Sequence, residues 1–316
     1  MLRPVLESMR GVVVAHGICP RYSDIDAYHM GACAADEAMR GVVAVGGDPD
    51  RVAALDNFCW CDPIQSRQNP DGRYKLAQLV RTAEALYEVC VAYGMPLVSG
   101  KDSMKNDYSI GQTRISIPPT LLVTAVGQIP DVRQAVTMDA KRPGDVVYVV
   151  GVTWPDLGAS HYLKHLALDG GAVPRLRDPA DAICTYRWLH RAIRAGLVSS
   201  CHDVSDGGLA VALAETAFAG GLGVVADLAA VPAREVGRDD DLLFSETPGR
   251  FVVTVPLAAA PAFDTLLGGR AARVGDVTAD PRLALTGRGG GVVIDEAIAD
   301  LKEAWQRPLR FEEVSR

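Results

Sequence analysis

The run Leu97-Val98-Ser99-Gly100-Lys101-Asp102-Ser103-Met104 sets a small residue, a cation, a carboxylate and a hydroxyl side by side directly after a short apolar stretch. Gly100 lets the backbone approach a bound group, Lys101 offers a fixed positive charge, Ser103 a hydroxyl and Asp102 a possible magnesium ligand. That is an inventory for holding a phosphate; the alternative is a strand that ends in a solvated polar turn. In Val52-Ala53-Ala54-Leu55-Asp56-Asn57-Phe58, Asp56 and Asn57 fall at the C-terminal end of an apolar strand, where layered α/β sheets commonly keep ligand-binding groups. In Cys201-His202-Asp203-Val204-Ser205-Asp206-Gly207-Gly208-Leu209 a strand runs into a helix. Free amides at Gly207 and Gly208, together with the positive end of the helix dipole, are expected to face one spot where phosphate sits. Asp206 there either caps the helix or neutralises a magnesium ion, and His202 reads as a structural histidine rather than a base. Glu37 lies in a helix rich in Ala, Cys and Gly, where close packing makes a carboxylate require a metal or a basic partner. Asp24 or Asp26 occupies the N-cap position just ahead of that helix.

These residues need elements to position them. Val12 to Ala15 and Val52 to Leu55 read as strands, with a helix from Tyr28 to Val43 between them. Tyr74 to Tyr93 places Leu76, Leu79, Val80, Ala83, Leu86, Tyr87 and Cys90 at helical spacing. Leu97 to Ser99 and Thr120 to Val126 add strands, and the polar stretch Ile129 to Gly144 reads as a boundary between a first domain, 1–135, and a second, 141–316. The second opens on the strand Val146 to Val150. Helices follow around His161 to Leu168 and Ala180 to Ala195, then a strand ending at Asp203, a helix from Gly208 to Ala219, and a strand and helix from Val292 to Trp305. No Gly-x-Gly-x-x-Gly follows a strand, so the expectation is α+β rather than a doubly wound sheet.

Composition removes several function classes. The chain has 316 residues, 48% of them apolar, enough to bury a large core. No apolar run reaches the length of a membrane span and the N-terminus is not a signal peptide, which points to a cytosolic protein. A net charge of −7 with dispersed basic residues argues against a nucleic-acid surface. Seven cysteines, odd in number and scattered, read as free buried thiols; Cys59 and Cys61 form a C-x-C, but no second close pair completes a zinc site.

Taken in order, Pro20-Arg21-Tyr22, Val45-Gly46-Gly47-Asp48-Pro49-Asp50-Arg51, Asp56-Asn57-Phe58-Cys59-Trp60, Ser99-Gly100-Lys101-Asp102-Ser103-Met104, His202-Asp203-Val204-Ser205-Asp206-Gly207-Gly208 and Pro248-Gly249-Arg250-Phe251 resemble phosphoribosylformylglycinamidine synthase of purine biosynthesis. The resemblance spans residue 11 to about residue 280. It implies the aminoimidazole-ribonucleotide-synthetase-like fold, in which an N-terminal half-barrel domain pairs with another copy and a C-terminal α/β sandwich domain packs alongside. This chain looks like the second of the two such units that the family joins in one polypeptide. The resemblance assigns Asp56 and Gly100 to ATP, Ser103 to the formylglycinamide ribonucleotide, and Glu37 and Asp206 to magnesium around a second nucleotide. Lys101 stands where short bacterial forms have a magnesium-binding Asn, and Gly41 where the family has an Asn. No catalytic residue is assigned, because the family's catalytic histidine lies in the first half. The implied cofactors are ATP or ADP with Mg2+. The implied partners are the first synthetase half, a glutaminase that supplies ammonia and, for the isolated chain, a second copy in a homodimer. A non-catalytic nucleotide-binding subunit, or another ATP-using member of the superfamily, are the alternative readings.

Overall fold

The computed structural model describes residues 1–111 and 113–309. The first unit runs β1 (Gly11–Ile18), α1 (Ala27–Ala44), β2 (Val52–Cys59), α2 (Gly72–Tyr93), β3 (Leu97–Ser103), β4 (Asp107–Ile110), β5 (Thr113–Ser116) and β6 (Thr120–Ile129). Its sheet has the order β1-β6-β2-β3, antiparallel except for the parallel pair β2–β3, and β4–β5 form a separate antiparallel ribbon. Alternation along the strands sends Val13, Ala54, Leu121, Val123 and Ala125 into a core beneath the helices. The opposite face is open: Val14 is 50% and Ile18 40% exposed. Asp26 caps α1 by accepting the Tyr28 amide at 2.8 Å, and Gly94, at φ +65°, ends α2 in the left-handed conformation that glycine adopts without a Cβ penalty. The small residues of α1 bring it hard against β1: a Cβ on Gly17 would lie 2.1 Å from the Ala34 carbonyl oxygen.

The expected end of a strand before Gly100 is corrected here. Gly100, Lys101, Asp102 and Ser103 continue β3, because each finds a parallel partner on β2: Asp56 opposite Gly100, Asn57 opposite Lys101, Phe58 opposite Asp102 and Cys59 opposite Ser103. What read as a polar turn is an exposed edge strand.

The second unit comprises β7 (Val146–Val150), α3 (His161–His165), α4 (Pro179–Arg194), β8 (Ser200–Asp203), α5 (Gly208–Gly220), β9 (Gly223–Asp227), α6 (Asp239–Phe244), β10 (Phe251–Val255), α7 (Ala260–Leu267), β11 (Ala271–Thr278), β12 (Arg282–Thr286), β13 (Val292–Ala297) and α8 (Ile298–Gln306). Its strand order is β13-β12-β9-β11-β7-β10-β8, with β9–β12 the parallel pair. The middle strands β7 and β10 are buried throughout. Val146, Tyr148, Val150, Phe251 and Val253 pack with Leu189 and Phe263 of α4 and α7, while Val147, Val149 and Val252 pack with Leu213, Leu242 and Ile298 of α5, α6 and α8. The first of these two cores also contains Met39 and Val42 of α1 and Tyr93 of α2, so α4 seats the second unit on the first. The last expected domain boundary, 316, lies outside the described residues.

Candidate functional site

Two clusters hold the residues singled out in the sequence. The first is the β2–β3 edge. Asp56 and Gly100 are register partners and so share a face; a Cβ on Gly100 would come 2.7 Å from Asp56 Oδ1. Only glycine leaves that carboxylate its room. Burial pushes Asp56 above the ordinary carboxylate range, and the charge of Asp102 adds to the effect. Strand alternation places Asp102 with Asp56 and Gly100, and turns Lys101 and Ser103 to the open face, where the Lys101 ammonium donates to the Ser103 hydroxyl. The phosphate-binding set is therefore divided between two faces of one strand. Neither Asp56 nor Asp102 pairs with a basic side chain among the described residues, which leaves two acidic oxygen donors at an exposed edge.

The second cluster lies where α1 meets the turn between β8 and α5. Cys19, Glu37, Arg40, Asp206 and Glu246 line a cleft of about 10 Å3, room for about one water-sized particle. Glu37 accepts the Ile18 amide at 2.8 Å and the Cys19 thiol at 3.6 Å. Burial pushes Glu37 up to about 7, against the downward pull of Arg40 and of the Ile18 amide. The Arg40 guanidinium is buried and reaches Asp36 at 2.7 Å, the Val204 carbonyl and Ser205 hydroxyl at 2.9 Å, and Asp203 at 3.2 Å. Asp36 also accepts the Tyr93 hydroxyl at 2.5 Å and that of Tyr186. The basic side chain of this helix thus pairs with Asp36, one turn back, and not with Glu37, for which the basic partner was expected. His202 contacts Glu215 at 2.7 Å and Asp203 at 3.6 Å. Burial alone would push it down, but these carboxylates carry it up to about 9, so it is a charged structural group.

The expectation of free amides at Gly207 and Gly208 is corrected by Glu246. The Gly207 amide donates to its Oε1 at 2.9 Å, as does the His161 amide at 2.9 Å, and the Tyr22 hydroxyl donates to Oε2 at 2.8 Å. The Gly208 amide donates to the Ser205 carbonyl at 3.0 Å. A buried internal carboxylate thus takes the Gly207 amide, and a backbone carbonyl the Gly208 amide, where an external phosphate was expected. Burial would raise Glu246, but His161 and these donors hold it below its ordinary value. The loop that carries it is tied by buried Arg250, which donates to the carbonyl oxygens of Ser245 (2.5 Å) and Thr247 (2.9 Å) and to the Thr153 hydroxyl (3.0 Å).

Asp206 itself is 66% exposed at the rim, 3.7 Å from His161 Nδ1. His161, Asp206 and Glu246 bring three ligand-type atoms within 4.8 Å of one another, a grouping the sequence did not reveal because its members lie in three separate segments, His161 at the start of α3 and the other two in loops. Of its members only Asp206 was singled out in the sequence. Asp102 lies with the β2–β3 edge, apart from Glu37 and Asp206. All seven cysteines are free thiols, Cys59 and Cys61 among them.

Two family models tile the chain: AIR synthase related protein, N-terminal domain, over residues 3–129, and AIR synthase related protein, C-terminal domain, over residues 142–288. The chain belongs to the AIR synthase related family. Curated relatives include the phosphoribosylformylglycinamidine synthase subunit PurL of Deinococcus radiodurans, 34% identical over 313 residues, covering 96% of this chain and 40% of the relative. The PurL subunit of Limosilactobacillus reuteri is 33% identical over 282 residues, covering 88% of this chain and 35% of the relative. This AIR synthase related chain thus spans well under half the length of those relatives. Among solved structures, PurL of T. maritima complexed with FGAR superposes with a TM-score of 0.74 at 22% identity, over 92% of this chain and 46% of that one. The hydrogenase maturation protein HypE in complex with ATP gives 0.65 at 18% identity, over 94% of this chain and 87% of that one. These likenesses establish the AIR-synthase-like α+β fold for the chain.

Proposed function

We propose that this chain is the second synthetase half of an ATP-dependent C–N ligase that converts formylglycinamide ribonucleotide to formylglycinamidine ribonucleotide in purine biosynthesis, and that it works in the cytosol. The observation that carries this reading is identity of 33–34%, over 88–96% of the chain, to proteins named for that synthase. In this reading the substrate's formyl-amide oxygen takes the γ-phosphoryl group of ATP, and ammonia from a glutaminase then displaces phosphate. The chain contributes one wall: Asp56 beside Gly100, with Lys101 from the other face of the strand, meets the nucleotide, and Ser103 meets the ribonucleotide. The first synthetase half completes the site, and the chain alone is inactive.

The donor set at the edge, Asp56 with Asp102 and no basic partner among the described residues, fits a hard divalent cation such as Mg2+. In the cleft, Glu37 stays desolvated despite Arg40, so Glu37 and Asp206 fit a second ion-sized charge. When bound with nucleotide, magnesium neutralises phosphoryl charge. Gly207 acts by holding Glu246, and Gly208 by closing the turn onto Ser205, rather than by binding phosphate. The open face of the first sheet pairs with a second such sheet, that of the first half or, in isolation, of another copy.

Mixing the chain with the first half, ATP, Mg2+, formylglycinamide ribonucleotide and an ammonium salt should release phosphate. Asp56→Ala should lower the rate at least about ten-fold and Ser103→Ala should raise KM for the ribonucleotide. Unchanged kinetics in both variants, with the halves associated, would remove this assignment. Rates that stay silent while ADP still binds would favour a non-catalytic nucleotide-binding subunit. Calorimetry with ADP and Mg2+ tests the cleft, and binding that survives Glu37→Gln with Asp206→Asn excludes those two as ligands. In sedimentation the isolated chain should run as a dimer; a monodisperse monomer at high concentration refutes the pairing.

A further inference from the structure

We propose that a cavity on the second unit, of about 540 Å3 and distinct from the β2–β3 edge, binds the phosphate group of a small phosphomonoester through Arg175 and Arg234. Four arginines line it, and two of them are already neutralised. Arg177 forms a two-bonded pair with buried Asp156 at 2.8 and 2.9 Å and lies over the Trp154 ring at 4.1 Å. Asp156 is fixed in turn by the Thr247 hydroxyl at 2.8 Å. Arg270 pairs with Asp181 at 2.6 Å and with the Thr185 hydroxyl at 2.7 Å. Arg175 and Arg234 differ: they come from separate segments, are exposed, and their guanidinium groups have no hydrogen-bond or ion-pair partner among the described residues.

One further carboxylate lines the cavity, Asp178, which caps α4 by accepting the Asp181 amide at 3.0 Å, so two free guanidinium groups against one carboxylate leave a surplus of positive charge over a built, rigid floor. Lys and Arg on a free surface are ordinarily solvated, but here two unpaired guanidinium groups border one concavity whose other cations are locked. A phosphomonoester carries close to two negative charges and three terminal oxygens, enough to serve two separate guanidinium forks. A single carboxylate, with one charge and two oxygens, serves one. The volume lies within the range of small-ligand pockets and leaves room for a sugar-sized remainder against Val152 and Leu176. Part of the wall is bare backbone: Gly151 and Gly249 have φ of +88° and +81°, and a Cβ on Gly151 would lie 2.5 Å from the Gly249 carbonyl oxygen.

Calorimetric titration of the chain with ribose 5-phosphate, inorganic phosphate and ribose tests this. The expected result is saturable binding of ribose 5-phosphate, weaker binding of inorganic phosphate and none of ribose. The double variant Arg175→Ala/Arg234→Ala should bind ribose 5-phosphate at least about ten-fold more weakly with an unchanged melting temperature, since both side chains are exposed. The double variant Arg67→Ala/Arg73→Ala removes the same charge from exposed positions outside the cavity and should bind like the parent. Equal weakening in the two double variants would reduce the effect to general charge attraction and overturn the site. Absence of saturable binding at millimolar ligand overturns it too, and equal affinity for inorganic phosphate overturns the phosphomonoester assignment.

Discussion

Glu37 and His202 give the chain a pH dependence that two side chains can account for. An unfolded Glu titrates near its ordinary value of 4.5, whereas burial carries folded Glu37 to about 7. Between those values the folded chain keeps a proton that the unfolded chain releases, so stability falls as pH rises through that window. His202 goes from 6.5 to about 9 beside Asp203 and Glu215; the stability from its charged form is full below 6.5 and is lost as pH rises through 9. Both limbs therefore slope the same way. Urea denaturation across a pH series should show Glu37→Gln flattening the lower limb, by on the order of 3 kcal/mol at most, and His202→Asn flattening the upper one. Parallel curves for the parent and Glu37→Gln would refute the burial effect. At this scale the sequence reveals neighbours in the chain and little else. Asp56 and Gly100 were visible because each sits in a local run of chemistry-bearing residues. Glu246 was not, since its partner Tyr22 is 224 positions away and a glutamate in a polar loop looks solvated.

Among the elements, α1 and β1 show how small residues set a helix-to-sheet distance. Gly17→Ala would drive a methyl group into the Ala34 carbonyl, which cannot move without moving α1, and should cost roughly 3 kcal/mol. Gly289→Ala, with open space around it, should be near neutral by the same denaturation assay. Equal costs would mean that the α1–β1 contact is not tight. Gly100→Ala differs again, because the atom it meets is a side-chain oxygen that can swing away. It should leave the fold intact and lower nucleotide-dependent turnover in the reconstituted enzyme. The helix α2 was legible to within two residues of its observed start, but the stripe that marked it is not the face it buries: Leu76, Val80 and Tyr87 are 45%, 49% and 68% exposed, while Lys75, Gln78, Thr82, Ala85, Val89 and Tyr93 turn inward. Strands β9 to β12 were not anticipated. Phe251–Val255 is buried on both faces and lacks the alternation that marks a strand, while Gly223 opens β9 and Gly275 interrupts β11 where neighbouring backbone passes within 2 Å of the Cβ they lack.

For the whole molecule, the decisive joint is the buried guanidinium of Arg40. It gathers Asp36 of α1, Asp203 at the end of β8 and Ser205 just after it, while Asp36 adds Tyr93 of α2 and Tyr186 of α4, so one ionic group fastens the two units. Arg40→Met leaves buried carboxylate without a cation and should lose about 3–5 kcal/mol. Adding Asp36→Asn should return part of that loss, a coupling measured by a double-mutant cycle; strictly additive losses would show that the two groups do not form one network. None of this was legible beforehand, because the residues come from four elements that only the fold brings together. The edge strand β3 has a different consequence, one for handling the protein. Its backbone offers an unpaired row of amides and carbonyls, with Leu97 and Val98 exposed at one end by 41% and 65% and Lys101 and Asp102 charged at the other. Charges on an edge repel a foreign strand and apolar residues invite one. Self-association into fibrous or amorphous material should therefore begin at Leu97-Val98, and Val98→Lys should extend the solution lifetime of the isolated chain.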